Sequence, residues 1–519
     1  MRSSFGLALA LAALFAFTGI GHELTAPDEI RVAEVGREMA VSGDVVVPRL
    51  GGEPFLEHPP LFYAAVGHCV VLLGPNLGDA AARLPAACAT VVLLLLAFDL
   101  GRRLHDARAG LLAMLVLATT IGFFRYSHRA LVDIGLACGV GVSFWAWARL
   151  ILARRTAPDA RPSPALVLAL YAGAAAAFLV KGPVGPLLVA APVLADLVLH
   201  RRRGQLRSWS HLPGLLMLLA GCLVWPLALW RRAGGQAFSD FAVSNVVERV
   251  VPSAAYAGGH VNPPWFYLLA FPAMTAPWVV VLPAVWLALR GEERGGAERF
   301  LGWIFPLGLV ALSLPATKRP LYLLPLLMPL AVVVGCWLAR LPLRERLSSL
   351  ERAPLRLLAA PFALLPALVR KDPFDWRGLR RTGPRVAVAL FALAVAVGAA
   401  SDLVDPRVFA DPDRDTHSLP ADLVGLGVLQ GPLAGYRLDE RTRATVPFRT
   451  GLILSNLKRP EELRGFLDEH PEGRVLIRDE TCSTLPVADR TRLAPLRHWD
   501  FGRQRYDLYA ARVSPGRDP

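Results

Sequence analysis

The chain has 519 residues, is 54% hydrophobic and has a mean hydropathy of +0.42, which is more apolar than ordinary soluble domains. Its apolar residues form long runs separated by short arginine-rich breaks, the pattern of a polytopic membrane protein. The formal net charge of +14 sits mostly in those breaks, where orientation in a bilayer accounts for it without a nucleic-acid partner.

Runs of bilayer length predict about eleven spans, near 5–21, 80–100, 109–124, 134–152, 165–181, 184–199, 212–230, 264–289, 300–316, 320–339 and 385–404. The first follows a short basic start and reads as a retained helix, because "TGIGHELTAPDE" is a poor small-residue cleavage site. The segments 101–108, 153–161, 200–207, 290–299 and 339–352 are basic or arginine-rich and belong inside. Those at 22–60, 125–133 and 231–262 carry most of the unusual polar residues and belong outside. The stretch "APLRLLAAPFALLPALVR" (353–370) is short, holds three prolines and has basic flanks, so it reads as interfacial or re-entrant. The last span delivers a charged tail outside. In that tail "RPEELRGFLDEH" (459–470) has the spacing of a short amphipathic helix, and "FGRQRYDLYAARV" (501–513) alternates like a strand. The expectation is an α-helical polytopic membrane domain over 1–404 with an external loop at 22–60, then a small soluble α/β domain over 405–519. The six cysteines show no CxxC or zinc-type spacing, which argues against a disulfide framework or structural zinc.

Several polar residues stand out against this apolar background. Asp28 and Glu29 follow Pro27 at the head of a helical pattern, where they complement the helix dipole and need no further role. In "GEPFLEHPPLFYAAVG" (52–67), Glu57 and His58 precede two prolines that remove backbone donors and hold the preceding residue extended. Such a fixed pair suits a ligand or metal, and equally a solvated loop before a Pro-initiated helix. Asp133 lies in a largely apolar stretch four residues after Arg129, so an ion pair along the helix would also account for it. Only four lysines occur, and two of them, Lys181 in "KGPVGP" and Lys318 beside Arg319 in "TKRPLYLLPLLMPLA", sit where spans meet. Cations there suit a lipid-linked phosphate or simple snorkelling.

The order of these features is distinctive. An acidic pair after the first helix, then "EVGREMAVSGDVVVPRLGGEPFLEHPPLFY", "ARLPAA", an Asp after "RYSHRAL", "KGPVGP" and "TKRPLYLLPLLMPLA" resembles the GT-C membrane glycosyltransferases of the lipid A aminoarabinose transferase and protein O-mannosyltransferase type. The resemblance runs over about 5–340, is strongest at 27–63 and 317–330, and is weak in the tail. It implies a GT-C fold in a bacterial inner membrane with the active site and tail on the periplasmic side. The implied reaction moves a sugar from an undecaprenyl-phosphate carrier to an envelope glycolipid, such as lipid A, or to a protein. By the same resemblance Asp28, with Glu29, and Asp133 are catalytic. Glu57 and Asp133 would hold a divalent metal ion. His58, Lys181, Lys318, Arg319 and Tyr322 would hold the carrier phosphate. His58 stands where the family's "EKPP" has lysine, which makes its phosphate contact dependent on protonation. Two other classes compete. A lipid-linked-sugar flippase should show inverted repeats and midplane polar residues, and neither is evident. A non-catalytic scaffold would not need the acids.

Overall fold

Leucine- and alanine-rich runs with a charge only at their ends leave the backbone little choice but the helix, which satisfies its own hydrogen bonds in lipid. The computed structural model describes residues 2–24, 26–74, 77–157, 159–251, 260–291, 296–341, 348–359, 376–401, 418–501 and 504–512. In chain order the first helices are α1 (Arg2–Phe17), α2 (Pro27–Ser42), α3 (Leu61–Leu73), α4 (Gly78–Leu104), α5 (Ala107–Thr119), α6 (Ile121–Ser127), α7 (Val132–Thr156), α8 (Pro164–Lys181), α9 (Val184–Leu199) and α10 (His211–Ser239). Of the eleven stretches expected to span, 109–124 and 264–289 fall on bent pairs of helices, and the described part of each of the others lies chiefly on one helix. Among the described residues, five helices are long and apolar enough to cross a membrane: α4, α7, α8, His211–Val243 and Pro320–Arg340. Two bent pairs, α5 with α6 and Phe266–Thr275 with Trp278–Arg290, bring the number to seven if each is one span. The segment expected to be interfacial enters helix Ser349–Ala359. Its remainder, 360–370, lies outside the described residues.

The chain divides into two compact units. The first comprises 1–20, 56–62 and 83–400, and the second 21–55, 63–82 and 401–519. In the first unit α7 and α8 are consecutive and antiparallel, and glycine lets them touch. A Cβ on Gly139 would lie 2.8 Å from the Gly173 carbonyl oxygen, and one on Gly173 would lie 2.5 Å from that of Gly139. Small residues at four-residue spacing are what allow such close backbone approach in apolar surroundings. The consequence is positional: the start of α7 and the end of α8 arrive at the same end of the pair.

The second unit contains the tail sheet, with strands β3 (Leu433–Tyr436), β4 (Ser455–Leu457), β5 (Arg474–Arg478), β6 (Leu493–Phe501) and β7 (Gln504–Ala511) in the order β4-β3-β5-β7-β6. The β3 pairings with β4 and β5 are parallel, while β7 runs antiparallel to β5 and β6. Strand alternation gives each face its own core. Leu476, Tyr506 and Leu508 lie in one, and Val475, Ile477 and Leu493 in the other. The amphipathic helix expected at 459–470 is Pro460–Glu469, packed through Leu463 and Leu467.

The same unit takes in the segment expected to be an external loop. There a hairpin forms from β1 (Arg49–Leu50) and β2 (Glu53–Pro54), with Leu50 opposite Glu53. Its two-residue turn, Gly51-Gly52, has φ of 61° and 78°, the left-handed pair that a tight hairpin needs and glycine supplies. Helix Glu440–Thr450 holds this segment. Arg443 donates to the Leu50 carbonyl and pairs with Glu53 at 3.1 Å, Arg449 pairs with Asp79 and Glu23, and Glu440 pairs with Arg31.

Candidate active site

In the first unit the antiparallel α7–α8 packing has a chemical result. Asp133, in the first turn of α7, and Lys181, the last residue of α8, form an ion pair with side chains only 6% and 7% exposed. The carboxylate sits at the positive end of its helix and the ammonium at the negative end of its own. The Asp133 partner is therefore Lys181, 48 residues on, and not the nearby Arg129 of the sequence expectation. The Lys181 ammonium also lies 4.5 Å from the centre of the Tyr322 ring, within cation–π range. Three of the expected site residues thus meet at one buried point.

Glu57 and His58 lie in the turn before α3, with the imidazole Nε2 3.8 Å from the carboxylate. Gly135 in the first turns of α7 leaves room for Phe62, whose ring would lie 2.7 Å from a Cβ there. The 56–62 segment is thereby packed against the head of the helix that carries Asp133.

Lys318 is placed differently from its expected phosphate role. It is 2% exposed, and its ammonium donates to the carbonyls of Asn262 at 2.9 Å, Pro315 at 2.5 Å and Ala316 at 3.4 Å. Asn262 reciprocates, donating from its side chain to the Lys318 carbonyl at 3.0 Å, and a β-bridge joins Val261 to Thr317. All three ammonium donors point at backbone, so Lys318 fastens this loop. Arg319, half-buried, begins the short 3₁₀ helix Pro320–Leu323 that carries Tyr322, and its carbonyl accepts from the buried Tyr267 hydroxyl at 3.3 Å. Asn262 and Tyr267 escape sequence reasoning. Asn262 lies in "HVNPPW", where the prolines signal a turn and nothing signals a partner 56 residues away.

Asp28 and Glu29 belong to the second unit. Pro27 occupies the first position of α2, and both acids fall in its first turn. Asp28 accepts from Arg31 at 2.6 Å, and that guanidinium also covers the Phe55 ring at 5.8 Å. Glu29 is buried at 2% exposure. Along the same helix Glu38 accepts from the Gly51 and Gly52 amides at 2.5 and 3.0 Å, fixing the hairpin turn. Glu34 is fully buried and bonded twice by Arg37 at 2.7 Å. Burial pushes its carboxyl up to about 8, with the Arg37 bonds pulling back only part of the shift.

The residues named for a metal do not make a cage as placed. Among the described residues no group of three or more His, Cys, Asp or Glu side chains gathers as a metal would require. Of the two named ligands, Asp133 faces the Lys181 ammonium.

The sequence profile of the family described as dolichyl-phosphate-mannose-protein mannosyltransferase matches residues 57–230. An undecaprenyl phosphate-alpha-4-amino-4-deoxy-L-arabinose arabinosyl transferase of Pseudomonas fluorescens is 30% identical over 348 residues, 65% of this chain and 55% of that protein. The corresponding transferase of Pseudomonas aeruginosa is 31% identical over 64% of this chain and 59% of its own length. The chain therefore spans little more than half the length of these curated relatives. The crystal structure of ArnT from Cupriavidus metallidurans bound to undecaprenyl phosphate superposes with a TM-score of 0.72 at 20% identity, covering 97% of each chain. The fold is thus that of this membrane-protein structure, and residues 57–230 resemble the mannosyltransferase family.

Proposed function

We propose that the protein is a glycosyltransferase of the bacterial inner membrane that moves a sugar from an undecaprenyl-phosphate carrier to an envelope acceptor, a lipid A-like glycolipid or a protein, on the periplasmic face. The observation that carries this reading is the buried Lys181 ammonium held between the Asp133 carboxylate and the Tyr322 ring. A cation buried at the end of membrane helices is costly unless it has work to do. A phosphate is the partner that such a cation suits, and the names of the relatives match.

In the proposed reaction the bond from the anomeric carbon to the phosphate oxygen breaks as the acceptor oxygen forms its own bond to that carbon from the opposite side. The configuration is inverted, and the bonding electrons leave with the phosphate, which departs as a dianion. Lys181 stabilises the charge that develops on it, with Arg319 and protonated His58 as further donors. Tyr322 keeps the ammonium in place, and Asp133 keeps it charged. Lys318 contributes by fastening the loop from which Arg319 and Tyr322 project. When the acceptor is a hydroxyl, Asp28 is the proposed base for its proton and Glu29 its neighbour. A phosphate acceptor needs no base, and Asp28 would then position the sugar.

The test uses the full chain in nanodiscs with radiolabelled undecaprenyl-phosphate sugars, an aminoarabinose donor among them, and envelope extract. Label should move to an acceptor with the wild type and stay on the carrier with Asp28→Asn and with Lys181→Met. Label that stays on the carrier with the wild type across a broad donor panel would overturn the reading. Transfer measured in excess EDTA, with and without added manganese or magnesium, tests whether a divalent metal assists the reaction.

A further inference from the structure

A second charged site lies at the other end of the helices that carry Asp133 and Lys181. Where α7 ends and α8 begins, a cavity of about 590 Å³ is lined by Arg154, Asp159, Arg161, Leu206, Arg207 and Trp209, with Ala160 and Ser208 completing the wall. Three guanidinium groups face one carboxylate there. Trp209 is 85% exposed and Leu206 56% exposed, beside the start of α10.

The loop that forms the far wall is pinned from beneath. Arg154 donates to the Gly204 carbonyl at 2.6 Å, and Gln205 donates to the Leu150 carbonyl at 2.9 Å. His211 bridges the Tyr171 hydroxyl at 3.0 Å and the Gln205 carbonyl at 2.9 Å. Arg202 is anchored on Asp196, which also accepts from the Trp147 ring nitrogen at 2.9 Å. Buried polar bonds thus hold 202–211 in one shape, and Arg207 and Trp209 project from it. Arg154 Nε is buried and has no hydrogen-bond partner among the described residues.

We propose that this cavity binds the phosphate of an anionic phospholipid headgroup. Planar guanidinium forks match phosphate oxygens, and basic pockets between membrane helices accept such headgroups. An exposed tryptophan and leucine at a helix start are the side chains that sit at the lipid–water boundary. Together they take an anion that carries acyl chains in preference to a soluble one. The site is separate from the Asp133–Lys181 pair, and its occupancy does not depend on the proposed transfer reaction.

Native mass spectrometry of the full chain in a zwitterionic detergent, titrated with phosphatidylglycerol or phosphatidylcholine, tests it. The wild type should retain phosphatidylglycerol severalfold better than phosphatidylcholine. The R161Q/R207Q variant, which changes only exposed side chains, should lose most of that preference. Asp159→Asn should strengthen it, a gain that misfolding cannot produce. Equal retention of the two lipids by the wild type, or a preference unchanged in R161Q/R207Q, would overturn the proposal. Displacement of phosphatidylglycerol by inorganic phosphate alone would overturn the lipid assignment in favour of a water-soluble phosphate.

Discussion

Replacing Lys181 by Met keeps the length and packing of the side chain and removes only its charge, so the variant isolates what the ammonium does. Transfer should fall by about 10²–10³-fold, the scale for losing one donor aimed at developing charge, measured as label moved per enzyme in nanodiscs. Tyr322→Leu removes a cation–π contact worth about 1 kcal/mol and should cost roughly fivefold. Lys318→Met should behave differently, lowering expression and thermal stability, because it strips the donor from three carbonyls. In the proposed reaction His58 gives the site a pH dependence that a lysine there would not. Only protonated imidazole brings a positive charge to phosphate, so transfer should decline as pH rises, and His58→Lys should flatten the profile. How much of this could be read from the sequence differs by residue. Asp133 was visible as an acid in apolar surroundings, but its partner was not. Local spacing pointed to Arg129, whereas the real partner is set by a helix packing that spacing along one chain does not encode. The role of Lys318 was hidden for the same reason: a lysine's partners at the membrane face depend on which distant loop folds over it.

At the level of elements, the decisive contact is the glycine seam between α7 and α8. Gly139→Leu forces the backbones apart where a Cβ already has no room, and overpacking of this kind costs about 1–3 kcal/mol. The expected outcome is a lower unfolding temperature together with a loss of transfer larger than the stability change explains, because the seam sets the Asp133–Lys181 distance. A compensating loss in stability alone would show that the pair tolerates the displacement. The helices themselves were legible, since an apolar run bounded by charge has one answer in a bilayer. The membership of the 21–55 segment was not. Its hairpin, its Glu38-held turn and its attachment to helix Glu440–Thr450 depend on Arg443 and Arg449, nearly four hundred residues downstream.

Across the whole molecule, stability should carry the signature of Glu34. Its carboxyl titrates at about 8 in the folded chain against an ordinary 4.5. Between those values the native state keeps a proton that the unfolded chain has released. Stability therefore falls as pH rises from 4.5 to about 8 and is level on either side. Unfolding temperature followed across that range should show the decline in the wild type and a flatter course in Glu34→Gln. A chain of 519 residues with four lysines also carries its own reporter. Lys458 has a side chain 59% exposed, whereas Lys181 is clasped by Asp133 and Lys318 is sealed among carbonyls. Amine-acylating reagents applied to the native protein should mark Lys458 at once and leave Lys181 and Lys318 unmarked. In Asp133→Asn, Lys181 should react faster than it does in the wild type while Lys318 stays silent. The ratio of that amine's acylation rate in the variant to its rate in the wild type would then measure how firmly the clasp is closed, without any substrate at all.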